Sequence, residues 1–411
     1  MMLNRVYFRL SLSLPFVLLA MAYSQADVVF LAKASVPGTA TDLSGLKETL
    51  SDGTPHNRLG GLGSGIAYTG QNQSYVLVSD RGPKDGTVDY LCRFHTMEII
   101  VDPRKQQINL KLLGTTLLQT EDGKKLNGAL SYLDRHDPAK SLRFDPEGVR
   151  VGPKGTIFIS DEYGPSIQEF DAKGKRLRSL PIPMRYLASH PSSKVAEELP
   201  PHNNTGRQPN HGMEGLAISP DGTILTGIIQ NPLLQDGALD AAHKKTGTYC
   251  RILQIHLPSG TTKEFVYELD SPSNGLSEIL ALNDHQFLVI ERDSKSGAEA
   301  RYKKIQRIDL QKATDISQVD RLPARHLPAS ITPVAKENFL DLLDPKYQLA
   351  GRSFPAKIEG LAFGPDLPDG RHLLLITSDN DFVATKDFTV FAFAIDRASL
   401  PGYQPQSFPK R

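Results

Sequence analysis

Carboxylates recur at regular places in this chain. Glu147, Glu214, Glu278 and Glu359 each open a short apolar stretch that runs through a tight turn into a second apolar stretch, and Ser64 opens a fifth, looser copy. Acids also close most copies: Asp80, Asp161, Glu291 and Asp379, with Ile228 at the corresponding place in the copy that starts at Glu214. Carboxylates brought close together resist ionising together unless a cation compensates them. Hard oxygen ligands in number select Ca²⁺, or Mg²⁺, over a soft metal. The eight acids Glu147, Glu214, Glu278, Glu359, Asp80, Asp161, Glu291 and Asp379 are therefore the candidate ligands of a divalent cation.

The element that must position them is a hairpin. Val149, Val151, Ile157 and Ile159 alternate with smaller or polar residues, which is the period of a strand. Pro153-Lys154-Gly155 and Pro220-Asp221-Gly222 supply turns, because proline presets φ and glycine accepts a positive one. Two further strand-like runs follow most copies. The copies begin at 64, 147, 214, 278 and 359. A recurring unit of this length predicts a ring of repeats, an all-β propeller of four-stranded blades. Five copies give five blades, although insertions near 114–146, 183–212, 230–247 and 311–357 leave room for a weak sixth. A β-sandwich also has many short strands, but it does not require the same phrase five times.

Copy five has one clear outer strand before the chain ends, and Val28–Ala32 near the start is strand-like and unassigned. The N-terminal strand of the mature chain is expected to complete that blade. In copy four the fourth strand is expected near Gln318–Leu322, and Val334–Leu343 reads as a short helix.

A propeller's first strand lines the channel, and its second runs back to the same face. The first and last acids of each phrase should therefore meet at one mouth. The loops after the second strands carry the least repetitive residues, and loops at one end of a rigid scaffold are where sites are usually built. Arg81 and Arg292 suit an anionic ester through bidentate donation; Lys84, Tyr163, Asn231 and Asn380 lie in the same loops as candidate substrate contacts. His211, beside Glu214, is a candidate general base. The chain has no G-x-S-x-G elbow, P-loop or dinucleotide fingerprint.

A formal charge of +1 over 411 residues, with no basic run, gives no electrostatic case for nucleic acid. Arg5 and Arg9, the apolar run Leu10–Ala22 and the small residues before Ala26 read as a secretory signal over residues 1–26, leaving 27–411 as a single domain. After its removal nothing is left that could span a membrane, so an exported, periplasmic or secreted monomer is expected. Cys92 and Cys250 fall in non-adjacent repeats and are expected as two free, half-buried thiols.

Gly60-Gly61-Leu62-Gly63-Ser64-Gly65, Ser79-Asp80-Arg81-Gly82-Pro83, Phe144-Asp145-Pro146-Glu147-Gly148, Ser160-Asp161-Glu162-Tyr163-Gly164-Pro165, Met213-Glu214-Gly215-Leu216 and Lys357-Ile358-Glu359-Gly360-Leu361 together resemble the phytase-like domain family. This is a family of exported proteins described by an esterase-like activity of phytase. The resemblance covers roughly residues 40–400 and implies hydrolysis of phosphate or other esters. The expectation is a metal-dependent hydrolase of a small anionic phosphate ester. The alternatives are a calcium-dependent lactonase or carboxylesterase, and a non-catalytic binding propeller of the cell envelope.

Overall fold

The computed structural model describes residues 28–408, so the expected secretory signal lies outside the described residues. Five four-stranded antiparallel sheets form the chain. Blade one is Leu62–Tyr68, Ser74–Ser79, Arg93–Asp102 and Gln107–Leu117. Blade two is Pro146–Val151, Ile157–Asp161, Ser166–Phe170 and Arg176–Ser179; blade three is Met213–Ile218, Ile224–Ile229, Tyr249–His256 and Thr262–Glu268. Blade four is Gly275–Ala281, Gln286–Arg292, Lys303–Asp309 and Ala335–Asp341. Blade five is Lys357–Phe363, His372–Asp379 and Phe388–Ile395, completed on its outer side by Val28–Val36, as the sequence predicts. The innermost strands pack side by side in a closed ring, with the fifth against the first. No sixth sheet occurs among the described residues.

The apolar residues of each blade face its neighbours, which is why every blade reads as alternating. Each of the five blade interfaces holds its own buried cluster; Val78, Phe94, Val149, Ile159 and Phe170, for example, fill the space between blades one and two. Closing the ring leaves only short outer edges unpaired.

Two expectations are corrected in blade four. Val334–Leu343 is not a helix: Ala335–Asp341 is the blade's outer strand, and Gln318–Leu322 is an irregular segment before it. Within that strand Lys336, Glu337, Asn338 and Leu340 pair with Ile308, Arg307, Gln306 and Ile305, Phe339 is bulged out of the ladder, and the exposed side of an edge strand tolerates the charged residues that read as helical. Cys92 and Cys250 are free, as expected, but fully buried rather than half-buried. No helix among the described residues is long and apolar enough to cross a membrane.

Candidate functional site: an acidic mouth

Every inner strand carries a β-bulge at the repeated phrase. The pairing slips between Leu62 and Gly65, Pro146 and Val149, Met213 and Gly215, Leu276 and Glu278, and Ile358 and Gly360. A bulge adds a residue to one strand and re-aims its side chain. The added residues are Gly63 with Ser64 in blade one, and Glu147, Glu214, Ser277 and Glu359 in the others. The glycine that follows most of them is needed for close approach. A Cβ at Gly65 would lie 2.4 Å from the Glu147 carbonyl oxygen, and one at Gly148 would lie 2.6 Å from the Leu216 nitrogen.

The register also redraws the outer set of acids. The residues directly after the partner of the pre-bulge residue are Asp80, Glu162, Gln230, Arg292 and Asp379. Glu162, not Asp161, is thus in line with Asp80 and Asp379, and Arg292, not Glu291, holds that place in blade four. Blade three is not missing its member: Ile228 belongs to the core between blades three and four, and Gln230 takes the position and donates to Glu214 Oε1 at 2.6 Å.

Three acids of the sequence set are tied into the scaffold. Glu278 stands where other blades have glycine; its Oε1 accepts from the Leu216 and Ile279 amides, and its other oxygen lies 3.1 Å from Arg150. Arg150 also donates to the Ile66 and Ile279 carbonyls, so it crosses the channel and ties its walls together. Asp161 accepts from the amides of Asp145, Tyr163 and Gly164 and from Ser166 Oγ, which shapes the loop after its strand. Glu291 accepts from Tyr267 Oη, the Asp270 amide and Asn274 Nδ2 and pairs with Lys336.

Other acids form two clusters at this mouth. Asp145, Glu147 and Glu162 bring carboxylate oxygens within 4.8 Å of one another, and so do Asp80, Asp379 and Asp381. Arg81 donates to Asp145 at 2.5 Å and to Glu162 at 3.0 Å; Lys357 lies 3.2 Å from Asp379 and 2.5 Å from Asp381. Arg292 bonds Glu359 Oε1 at 2.6 Å and Ser277 Oγ at 2.8 Å. These three cations face eight carboxylates: Asp80, Asp145, Glu147, Glu162, Glu214, Glu359, Asp379 and Asp381. Glu214 and Glu359 are each 3% exposed, and each keeps one buried oxygen without a hydrogen-bond partner. A buried carboxylate oxygen left unpaired is costly, and carboxylate oxygens with unmet negative charge are what a hard divalent cation binds.

The electrostatics agree. Burial, reinforced by Glu214 and Asp145, pushes Glu147 well above the usual carboxylate range. Burial and then Glu162 and Glu359 do the same to Glu214, and burial and then Asp379 to Asp80. Glu162 is raised to about 8 by burial and Asp145, against the pull of Arg81. Asp379 is raised to about 7 by burial, against the pull of Lys357.

The other predicted residues surround this centre. His211 Nδ1 meets Gln230 Oε1, so it reaches Glu214 through one side chain; burial and Lys245 push its pKa down to about 3. Tyr163 donates to the Gly128 carbonyl, and the Arg143 guanidinium lies 4.7 Å over its ring. Asn231 bonds Lys245 and the Asn274 carbonyl, and Asn380 accepts from the Gly61 and Phe382 amides. Lys84 is exposed in the Pro83–Gly86 turn. Asp145, Glu162 and Lys357 were not singled out from the sequence, though each adjoins an end of the repeated phrase. The cue was there in Asp145-Pro146-Glu147-Gly148 and Lys357-Ile358-Glu359-Gly360.

The far end of the channel holds a cavity of about 250 Å³ lined by Ile66, Arg150, Ala281 and Phe363. Below Arg150, the segment 403–408 lies across it: the Gln404 and Ser407 amides donate to the Leu282 and Pro220 carbonyls, and Gln406 donates to the Val151 carbonyl. On the acidic side a pocket of about 250 Å³ opens over Arg81 between Tyr163, Glu198 and Asn210.

The model of a family described as phytase-like, esterase-like activity of phytase, matches residues 57–382. An uncharacterized secreted protein of Arthroderma benhamiae is 27% identical over an alignment of 340 positions, with 65% of this chain and 64% of that protein covered. The match thus spans less than two thirds of that relative's length. Among solved structures, the calcium-binding protein regucalcin of Agrobacterium tumefaciens is 11% identical at a TM-score of 0.37, covering 86% of this chain and 95% of its own. A gluconolactonase of Xanthomonas campestris is 11% identical at a TM-score of 0.33, covering 90% of each chain. At such TM-scores these two likenesses carry no argument.

Proposed function

The chain belongs to the phytase-like family, and from that premise we propose that it is an exported ester hydrolase that depends on a divalent cation, Ca²⁺ before Mg²⁺, and acts on phosphate esters. The observation that carries this reading is the inner set Glu147, Glu214 and Glu359. Three buried carboxylates stand on the inner-strand bulges of blades two, three and five, and two of them keep an unpaired oxygen. These three would hold the cation, with Asp80, Asp145, Glu162 and Asp379 around them. A cation bound there supplies Lewis acidity toward an ester oxygen and lowers the pKa of nearby water.

The chain's own residues have separable roles. Arg81, Arg292 and Lys357 hold the acids apart and fix their geometry through ion pairs. His211 is neutral at working pH and orients Gln230, which in turn orients Glu214; we assign it a positioning role. Arg150 and the 403–408 segment cross the channel floor and brace its walls.

A second reading, a lactonase or carboxylesterase, is favoured by one observation. Arg81 and Arg292 already bond carboxylates, leaving neither guanidinium free for a phosphate. Metal analysis of the purified protein, then calorimetric titration with Ca²⁺ of the wild type and of Glu147→Gln and Glu359→Gln, tests the shared premise. Stoichiometric binding that weakens at least tenfold in both variants is expected; unchanged binding, or none in the wild type, sinks it.

A further inference from the structure

The acidic mouth is flanked by a larger concavity that the cation does not need. A groove of about 780 Å³ runs along the outer side of blade two, walled by insertions in 114–146 and 183–212. Leu180, Ile182, Met184 and Leu187 form an apolar stretch of its lining, and Arg143, Arg176, Arg185 and Arg321 line it as well. Met184 is 79% exposed at its lip, the most exposed of the large apolar side chains. The volume lies in the range of small-molecule sites, about 300–1,000 Å³. Apolar surface left in water is unfavourable, and a concave patch of this kind marks a site of contact.

What identifies the occupant is continuity with the mouth. The Tyr163 side chain lines both the groove and the pocket over Arg81. Its hydroxyl is fixed on the Gly128 carbonyl at 2.8 Å, and Arg143, which also lines the groove, lies over its ring. One end of the groove therefore lies against the pocket over Arg81, with Tyr163 as the wall between them, and the rest leads away from it. We propose that this groove takes the apolar body of the ester, so that the substrate is an amphiphilic ester with an aromatic or extended aliphatic group and its reacting end toward the mouth. This inference rests on the hydrolase reading for its orientation, but not for the binding itself.

The test separates the two. 1-Anilinonaphthalene-8-sulfonate, an aromatic anion, is titrated into the full chain in EDTA and followed by fluorescence. Saturable binding of one equivalent is expected, weakened at least tenfold by Met184→Glu, whose exposed position spares the fold, and by Ala188→Trp, which fills the groove. Binding that both variants leave unchanged, or no saturable binding, overturns the proposal whatever the protein hydrolyses. In the kinetic arm, kcat/KM for a 2-(2-naphthyl)ethyl ester should exceed that for the ethyl ester of the same acid, which has a leaving alcohol of similar acidity, at least tenfold. That ratio should fall toward one in Met184→Glu. A ratio already near one in the wild type overturns the orientation. Absence of all ester turnover would count against the hydrolase reading, with the fluorescence titration still deciding the groove.

Discussion

Removing the charge of Glu162 should stabilise the cation-free protein, and by an amount that grows with pH. Glu162 is 2% exposed, and its pKa stands at about 8 against an ordinary 4.5. The folded chain holds a proton there that the unfolded chain has released, so stability falls as pH rises from about 4.5 through 8. At about 1.36 kcal/mol per unit, the penalty is near zero at pH 4.5, about 3 kcal/mol at pH 7 and about 5 kcal/mol at pH 9. Glu162→Gln keeps an oxygen for Arg81 and removes that penalty. With an unfolding entropy of about 2.1 cal/mol/K per residue, a domain of this size gains roughly 1.2 °C per kcal/mol. The variant in EDTA should therefore melt about 4 °C above wild type at pH 7 and about 6 °C above it at pH 9, with no difference at pH 4.5. His95 and His211, both pushed down to about 3 by burial, act in the opposite sense below about pH 6.5, but they cancel between variant and wild type. Saturating Ca²⁺ should erase the variant's advantage, because the cation then compensates the wild-type carboxylate. A variant that melts at or below wild type at pH 9 in EDTA would refute the reasoning.

Arg150→Met should destabilise by about 3–5 kcal/mol, since it leaves Glu278 buried without its partner; adding Glu278→Gln should recover a large part of that in urea unfolding. Arg292→Ala should lower the melting temperature in EDTA, because Glu359 then faces the other acids unpaired, and Ca²⁺ should recover more of the loss than it adds to wild type. Burial pushes both thiols well up, so the native protein should not react with a disulfide reagent, and two equivalents should appear on denaturation. A non-reducing peptide map should show no bridge between Cys92 and Cys250.

The propeller was legible because its signal is periodic. Alternation in each phrase, its turn residues and its fivefold return all point to one architecture, and Val28–Ala32 could be assigned to blade five by counting strands. Ala335–Asp341 was misread because an edge strand carries charge on its open side, where hydrophobic period no longer separates strand from helix. The site was legible in part. Glu147, Glu214 and Glu359 stood out by repetition, but strand pairing was needed to see that a bulge shifts the count by one. That shift brings Glu162 and Arg292 into the ring and sends Asp161 and Glu291 to structural duty. Glu278 shows the same limit: it repeats in sequence, yet it occupies the glycine position and faces Arg150. Ion pairing of Arg81 with Asp145, from two different blades, had no local signal at all.

The central claim is that the acidic mouth holds a divalent cation that supports ester hydrolysis. It is tested most directly by the hydrolysis rate of p-nitrophenyl phosphate and bis-p-nitrophenyl phosphate as Ca²⁺ is titrated into chelator-treated protein. The account predicts no turnover in EDTA, saturable recovery with Ca²⁺, and a rate at least a hundredfold lower in Glu359→Gln at the same Ca²⁺ concentration. Hydrolysis that is indifferent to chelator, or that Glu359→Gln leaves intact, would contradict it.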